Sequence, residues 1–260
     1  MLHIHAISAF VDNYIWLLQK GRHVVVVDPG DAEPVIAYCE KNNLIISAIL
    51  ITHHHADHIG GVNQLLAAKK LQVIQAFDKQ VPVYAPRYEQ FYFKHTPLSD
   101  GDSIYLTEID TQFNIMWLPG HTLGHIAYVN NDYLFCGDVL FGAGCGRLFE
   151  GTPAQMLASL NRLKQLNTAT KVFCTHEYTA KNIDFALTLE PENTQLLARK
   201  LATQHYRQQQ IPSIPSNIAL ELQTNPFLRC NEASIIQHSN AENSVELSVF
   251  TAIRNLRNHY

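Results

Sequence analysis

Residues 52–61 read THHHADHIGG, and they begin where the apolar run ISAILIT of residues 46–52 ends. Because that run predicts a buried strand, the backbone is expected to be still extended at the first histidines. Side chains alternate in direction along an extended chain. His53 and His55 should therefore point to one side, as two ligands of one metal ion, and His54 should point to the other side, outside the ligand set.

Asp57 and His58 follow where the backbone turns toward the next predicted helix. Adjacent residues in a turn cannot easily share an ion with the pair that precedes them. This carboxylate and imidazole are therefore expected to serve a second ion nearby, and the motif predicts a site for two metal ions.

Three further polar residues each follow an apolar strand: His121 comes after NIMWLPG, Asp138 after DYLFCG and His176 after KVFCT. Strand ends that converge let loops display ligands on a rigid frame. The combined set offers nitrogen and oxygen ligands without thiolate, which suits zinc and also manganese or iron. The carboxylate of Asp138 could bridge the two ions.

Two other polar residues leave alternatives open. His125, in the run GHTLGH, is expected to lie outside the ligand set, as a hydrogen-bonding or packing residue. Asp28, which closes the strand in VVVVDPG, either orients a metal ligand or caps the following helix.

Short apolar runs alternate with helical patterns in the first two thirds of the chain, which predicts a mixed α/β (α+β) architecture. The predicted strands are Tyr14–Leu18, His23–Val27, Ile46–Ile51, Phe113–Leu118, Ile126–Val129, Tyr133–Cys136 and Lys171–Cys174. The predicted helices there are Ala32–Lys41, Gly60–Lys70 and one that follows a capping-box start at Thr152–Gln155. After about Tyr178 helical periodicity takes over, in Thr194–Gln209, Ser216–Thr224 and Ser244–Asn258.

Composition excludes several classes of function. The 260 residues are 47% hydrophobic and 16% charged, so the chain can bury a large core. A net charge of -4 without a basic run argues against a nucleic-acid partner. No apolar stretch approaches a bilayer span and MLHIHAISAF lacks the features of a secretory signal, so we expect no membrane partner and a cytoplasmic location. Five cysteines without CxxC pairs suit reduced thiols.

Four of these motifs together resemble the metallo-β-lactamase superfamily: THHHADH, LPGHTLGH, FCGD and THEY. That resemblance spans the first two thirds of the chain. Three further motifs, GCGRLFEG, ALTLEPEN and TNPFLR, resemble glyoxalase II, the hydroxyacylglutathione hydrolases, as do the HEY triplet and the helical tail. The resemblance then covers essentially the whole chain.

The resemblance implies an αββα sandwich in residues 1–178 and a helical substrate-binding domain in residues 179–260. It also implies two divalent ions, zinc by preference, with iron or manganese as alternatives. The first ion would be held by His53, His55, His121 and Asp138, and the second by Asp57, His58, His176 and Asp138.

The resemblance further implies that Arg147, Tyr178, Arg254 and Arg257 contact the glutathione moiety. The last two lie at i, i+3 spacing on one face of the final helix. A solvated basic surface is the alternative interpretation of these residues. Phe149 stands where the family is expected to carry a Tyr hydroxyl that helps to bind substrate, and Arg147 and Arg257 stand where it is expected to carry Lys.

The expected reaction is hydrolysis of S-(2-hydroxyacyl)glutathione, such as S-D-lactoylglutathione, to glutathione and a 2-hydroxy acid, in methylglyoxal detoxification. Two ions would lower the pKa of a shared water so that a bridging hydroxide attacks the thioester carbonyl, and Asp57 would orient that hydroxide. The expected partner is this small-molecule thioester, and the expected oligomeric state is a monomer.

Other functions are compatible with the first motif alone. A lactonase, a β-lactamase or a persulfide dioxygenase could share it, but the dioxygenase would bind one iron, consume oxygen and lack this helical tail. A non-catalytic metal-binding module is a further alternative. It is disfavoured because structural zinc sites usually close four ligands around one ion, whereas seven ligands imply paired ions.

Overall fold

The structure is a computed structural model that describes residues 1–68 and 81–260. The chain divides into two compact units. The first unit comprises Met1–Trp117 and Gly124–Asn130, and the second comprises Leu118–Leu123 and Asn131–Tyr260.

The first unit contains a six-stranded sheet with strand order β1-β2-β3-β4-β5-β6. Strands β1, β2 and β3 are antiparallel, and β3 to β6 run parallel. A second set of strands, β7, β8 and β9, is antiparallel. The strands are β1 (His3–Ala9), β2 (Asn13–Lys20), β3 (His23–Val27), β4 (Ile45–Leu50), β5 (Val83–Pro86), β6 (Thr96–Leu98), β7 (Ser103–Leu106), β8 (Thr111–Trp117) and β9 (Ile126–Val129).

Three described helices belong to this unit, α1 (Glu33–Lys41), α2 (Ala56–Ile59) and α3 (Val62–Ala67). The sheet buries one face against α1, whose Val35 and Cys39 are fully buried with strand residues such as Leu17 and Ile49. These strands are rich in Val and Ile, which fit a sheet covered on its faces.

The second unit contains a smaller set of strands and most of the helices. Strand β10 pairs in parallel with β13, and β13 pairs antiparallel with β14. Its strands are β10 (Tyr133–Gly137), β11 (Leu140–Phe141), β12 (Gly144–Cys145), β13 (Lys171–Cys174) and β14 (Ser216–Asn217). Its helices are α4 (Pro153–Leu163), α5 (Thr179–Leu189), α6 (Thr194–Gln208), α7 (Ile218–Thr224), α8 (Ala233–His238) and α9 (Glu246–His259).

Two helix predictions were wrong in their boundaries. The helix predicted at Gly60–Lys70 begins earlier, as α2, and is interrupted before α3, while its last two residues lie outside the described residues. The helix predicted from Ser216 begins at Ile218, because Ser216 and Asn217 pair with β13. Asn217 instead caps α7, and its side-chain oxygen accepts a hydrogen bond from the Leu220 amide.

The predicted capping box of α4 is confirmed. The Thr152 hydroxyl accepts from the Gln155 amide, and the Gln155 side chain accepts from the Thr152 amide. In the described part of the chain, no helix combines the length and the apolar character needed to cross a membrane.

Candidate metal centre

The ends of two parallel strands place the first polar residues. The last residues of β3 and β4, Val27 and Leu50, are opposite each other, and the Asp28 amide donates to the Leu50 carbonyl at 2.9 Å. Asp28 and Thr52 therefore leave the sheet at the same edge. This is the edge at which the sequence places THHHADH.

Asp28 orients two of the predicted ligands rather than capping a helix. Its buried carboxylate accepts from the Thr52 amide at 2.8 Å, the Thr52 hydroxyl at 2.7 Å and His58 Nδ1 at 3.0 Å. Helix α1 has Ala32 at its N-cap, without a side-chain capping bond. Because a carboxylate accepts only, His58 carries its proton on Nδ1 and keeps Nε2 for a metal ion.

The same carboxylate acts on His53 through Thr52. The single hydroxyl proton of Thr52 is donated to Asp28, so Thr52 Oγ1 accepts from His53 Nδ1 at 3.1 Å. The acceptor nitrogen of His53 is then Nε2, which lies 3.0 Å from His55 Nδ1. One buried carboxylate thus sets the tautomer of two histidines.

The three consecutive histidines alternate as expected. His53 and His55 face each other, whereas His54 Nδ1 lies 3.2 Å from the buried carboxylate of Glu89. His125 stacks on His53 with ring centroids 4.7 Å apart and is fully buried. His125 therefore packs behind a predicted ligand.

Asp57 and His58 lie on the single turn of α2, with Asp57 Oδ2 3.6 Å from His58 Nε2. A close approach fixes this turn, because a Cβ at Gly30 would collide with the Asp57 carbonyl oxygen. Only glycine lets the Asp28 turn pack against α2.

The remaining three predicted ligands lie in the second unit. Asp138 follows β10 and His176 follows β13, which are paired strands, and His121 lies in the loop 118–123. Asp138 Oδ2 is 3.3 Å from His121 Nε2 and 3.4 Å from His176 Nε2. His121 Nδ1 donates to the Arg147 carbonyl at 2.8 Å, which leaves Nε2 as the acceptor nitrogen.

Ligand-atom separations provide a test of whether these side chains fit metal ions. Two ligand atoms at about 2.0–2.1 Å from one tetrahedral ion lie about 3.3 Å apart. Each unit contains two pairs of predicted ligands at such a separation, and Asp138 Oδ2 belongs to both pairs of the second unit, as a bridging oxygen must. The pairs are His53–His55 at 3.0 Å, Asp57–His58 at 3.6 Å, His121–Asp138 at 3.3 Å and His176–Asp138 at 3.4 Å.

Two of the predicted substrate-binding residues, Tyr178 and Arg147, contact predicted ligands of the second unit. Tyr178 is half-buried and stacks in parallel on His176 with ring centroids 4.7 Å apart. Arg147 is exposed, and its carbonyl holds His121. Phe149 is exposed and presents its ring edge-on to His121 at 5.2 Å, so it packs on a predicted ligand.

The two arginines of α9 have different surroundings. Arg254 is only 4% exposed, donates to the Cys145 carbonyl at 2.8 Å and stacks over Phe227. Arg257 donates to Asn182 Oδ1 at 3.2 and 3.1 Å. Burial, with Arg254 and Arg147 nearby, lowers the pKa of Arg257 below its ordinary value. An anionic ligand would relieve this crowding of positive charge.

The cysteines do not offer a nucleophile. All five are buried thiols. Burial raises the pKa of Cys145 above its ordinary value, although Arg254 opposes the shift. Its thiol therefore stays protonated at neutral pH.

Sequence reasoning missed several residues that contact the predicted ligands or the neighbouring His54. Asn13 donates to Asp57 Oδ2 at 3.0 Å. Thr52 contacts His53, and Glu89 contacts His54. Thr52 could have been found from its place between the strand and the histidines. No periodicity or motif spacing indicates Asn13 or Glu89, which are distant in sequence from their partners.

Two family models match the chain. The model of the metallo-β-lactamase superfamily matches residues 9–176, and the model of the hydroxyacylglutathione hydrolase C-terminus matches residues 177–260. The sequence is 51% identical over 260 residues to the hydroxyacylglutathione hydrolase of Methylobacillus flagellatus, with 100% of both chains covered.

Solved structures agree with the fold. ETHE1 from Myxococcus xanthus is similar in fold, with a TM-score of 0.66 and 20% identity over 98% of this chain and 91% of that chain. TTHA1623 in a di-iron-bound form has a TM-score of 0.57 and 25% identity over 86% of this chain and 100% of that chain. The superfamily and the His and Asp pairs together indicate a dinuclear metal site. The fold is of the α/β metallo-β-lactamase type, and the chain belongs to the hydroxyacylglutathione hydrolase family of that superfamily.

Proposed function

We propose that the protein hydrolyses S-(2-hydroxyacyl)glutathione thioesters, such as S-D-lactoylglutathione, to glutathione and a 2-hydroxy acid, a step of methylglyoxal detoxification. The observation that carries this proposal is Asp138 Oδ2, which lies at ligand spacing from both His121 and His176. It occurs in a chain that matches hydroxyacylglutathione hydrolases over its full length.

The proposed ligand sets divide between two divalent ions. When bound, such ions supply a water-derived nucleophile at neutral pH and polarise the carbonyl that it attacks. Asp28 keeps His53 and His58 in the tautomers that ligation needs, and Asp57 orients the nucleophile. The first ion is assigned to His53, His55, His121 and Asp138, and the second to Asp57, His58, His176 and Asp138.

We assign glutathione binding to the second unit, with residues 179–260 as a substrate-binding domain and residues 1–178 as a catalytic domain. The exposed guanidinium of Arg147 and the half-buried Tyr178 can donate to the carboxylates and amides of glutathione. Arg257 contributes positive charge to an anionic ligand, and Asn182 holds its guanidinium. Arg254 contributes through the chain segment that it holds, since its own side chain is buried.

The leaving group needs no separate acid. A free thiol has a pKa near 8.5, so a glutathione thiolate can depart without prior protonation. We assign no part in this reaction to Cys145, because burial raises the pKa of its thiol.

The test is hydrolysis of S-D-lactoylglutathione by metal-loaded protein, followed as loss of the thioester absorbance, beside metal analysis of the same preparation. We expect two equivalents of divalent metal and turnover that chelation abolishes and metal restores. Two bound ions without turnover would refute the thioesterase assignment. One iron with oxygen uptake would indicate the dioxygenase alternative, and ring opening of lactones or β-lactams would indicate another branch of the superfamily.

We propose zinc as the preferred metal because the ligand set is nitrogen and oxygen at tetrahedral spacing. Iron is the alternative, since TTHA1623, which is similar in fold, has been solved in a di-iron-bound form. A cytoplasmic location and a monomeric state stay predictions. Light scattering of the purified protein tests the second of these.

A further inference from the structure

The start of strand β2 lies beyond the end of its neighbour. Strand β2 runs antiparallel to β3, with Trp16 opposite Val27, the last residue of β3. The three residues of β2 that precede Trp16 therefore extend past β3, on the side where Asp28 leaves the sheet. Asn13 is the first residue of β2, and its partner in the β1–β2 hairpin is Ala9.

Asn13 is buried, and its side-chain amide donates a hydrogen bond to a predicted metal ligand. Its Nδ2 donates to Asp57 Oδ2 at 3.0 Å. The same oxygen lies 3.6 Å from His58 Nε2, and the other ring nitrogen of His58 donates to Asp28. Asp57 and His58, two of the four ligands assigned to the second ion, thus each have a polar side chain behind them, an amide for Asp57 and a carboxylate for His58.

We propose that Asn13 is a positioning residue for the second metal ion, which holds the Asp57 carboxylate in the orientation that binds the metal. The proposal rests on the metal site described above. The amide occupies one lone pair of Oδ2 and leaves another for the ion.

The neutral charge of Asn13 suits this role. A Lys or Arg would hold the carboxylate more strongly, but its positive charge would repel a divalent cation. An amide fixes the rotamer of Asp57 without that repulsion. Loss of such a partner of a metal ligand typically weakens metal affinity or activity by about 10- to 100-fold.

The test is a stepwise titration of metal-free protein with Co²⁺, followed by the visible absorbance of the bound ion. Asn13→Leu keeps nearly the shape of the side chain and removes the donor. We expect one of the two binding steps to weaken by about 10- to 100-fold and the other to stay unchanged. Gln19→Leu is the matched control, because Gln19 is an amide of the same strand that contacts His5 and Gly21, and both steps should keep their wild-type affinity.

Unchanged affinities in folded Asn13→Leu would overturn the proposal. An equal loss of both steps together with a lower Tm would also overturn it, because that is the result of a purely structural role. If Asn13→Leu does not fold, Asn13→Ser carries the same expectation, since its hydroxyl is too short to reach Asp57. The titration uses no thioester, so a wild type that binds two ions without hydrolysing substrate refutes the proposed function and leaves the role of Asn13 testable.

Discussion

Replacement of Asp138 by Ala tests whether one carboxylate serves both ions. Asp138 Oδ2 lies 3.3 Å from His121 Nε2 and 3.4 Å from His176 Nε2. Removal of this oxygen takes one ligand from each proposed ion at once, whereas His176→Ala takes a ligand from the second ion alone. The two substitutions should therefore differ in how many ions they release.

The expected magnitude follows from the number of ligands. Zinc bound by four protein ligands gains about 10–16 kcal/mol, which is roughly 2.5–4 kcal/mol for each ligand. Since about 1.4 kcal/mol corresponds to a factor of ten in a binding constant, the loss of one ligand lowers the affinity for an ion by roughly 100- to 1000-fold. Asp138→Ala should lower the affinity for both ions by this amount and should lose activity together with the metal. His176→Ala should lower the affinity for the second ion alone.

Metal content measured by mass spectrometry after dialysis, beside the Tm of each variant, decides the question. Asp138→Asn keeps the size of the side chain and separates loss of a ligand from loss of packing. His54→Ala is the control within the same motif, because His54 Nδ1 faces Glu89 and His54 is assigned to neither ion, although its ring lies edge-on to that of His55 at 5.1 Å. Two retained equivalents of metal in folded Asp138→Ala would refute the bridging role.

Three other predictions follow from the described contacts. Arg254→Ala removes a charged hydrogen bond to the Cys145 carbonyl and the contact over Phe227, at a cost of roughly 3 kcal/mol in the free energy of unfolding. The Tm of this variant should fall by roughly 6–12 °C and its KM should rise. An unchanged melting curve would contradict the buried role of Arg254. Thr152→Ala removes the capping box of α4, which should lower Tm by roughly 2–4 °C and leave kcat/KM unchanged. A loss of turnover would contradict a purely structural role of Thr152. Burial raises the pKa of Cys39 and of Cys230 from the ordinary 9.0 to about 12. Because these thiols ionise at a lower pH in the unfolded chain than in the folded protein, the stability that they contribute is complete below pH 9 and is lost as the pH rises toward 12. Urea midpoints that do not fall across this range would contradict the burial of these thiols.

The directions of the three consecutive histidines could be predicted, because the alternation of side chains along an extended chain is a local property. The apolar run before His53 required an extended chain, and alternation along it separated His53 and His55 from His54, as the structure has them. The Asn217 region shows the limit of the same reasoning. Helical periodicity there began at Ser216, but pairing with β13 holds the first two residues in a strand.

Side chains behind the ligands could not be predicted in this way. Asn13 meets Asp57 across 44 positions and Asp28 meets His58 across 30. No periodic pattern in the sequence indicates either pair. Each contact depends on the register of strands β2 and β3 and on the close approach that Gly30 allows. Arg254 is similar, since its place on α9 does not reveal that its guanidinium is buried against the Cys145 carbonyl.

The sequence by itself determined the chemistry of this protein: which side chains can bind metal, that they follow strand ends, and which family their motifs resemble. These follow from residue type and from the short periods of strand and helix, which are local properties. Only the tertiary structure decided which nitrogen of His53, His58 and His121 is available, because a tautomer is set by the partner that the opposite ring nitrogen meets. That partner is brought there by packing between distant segments, which no local pattern encodes.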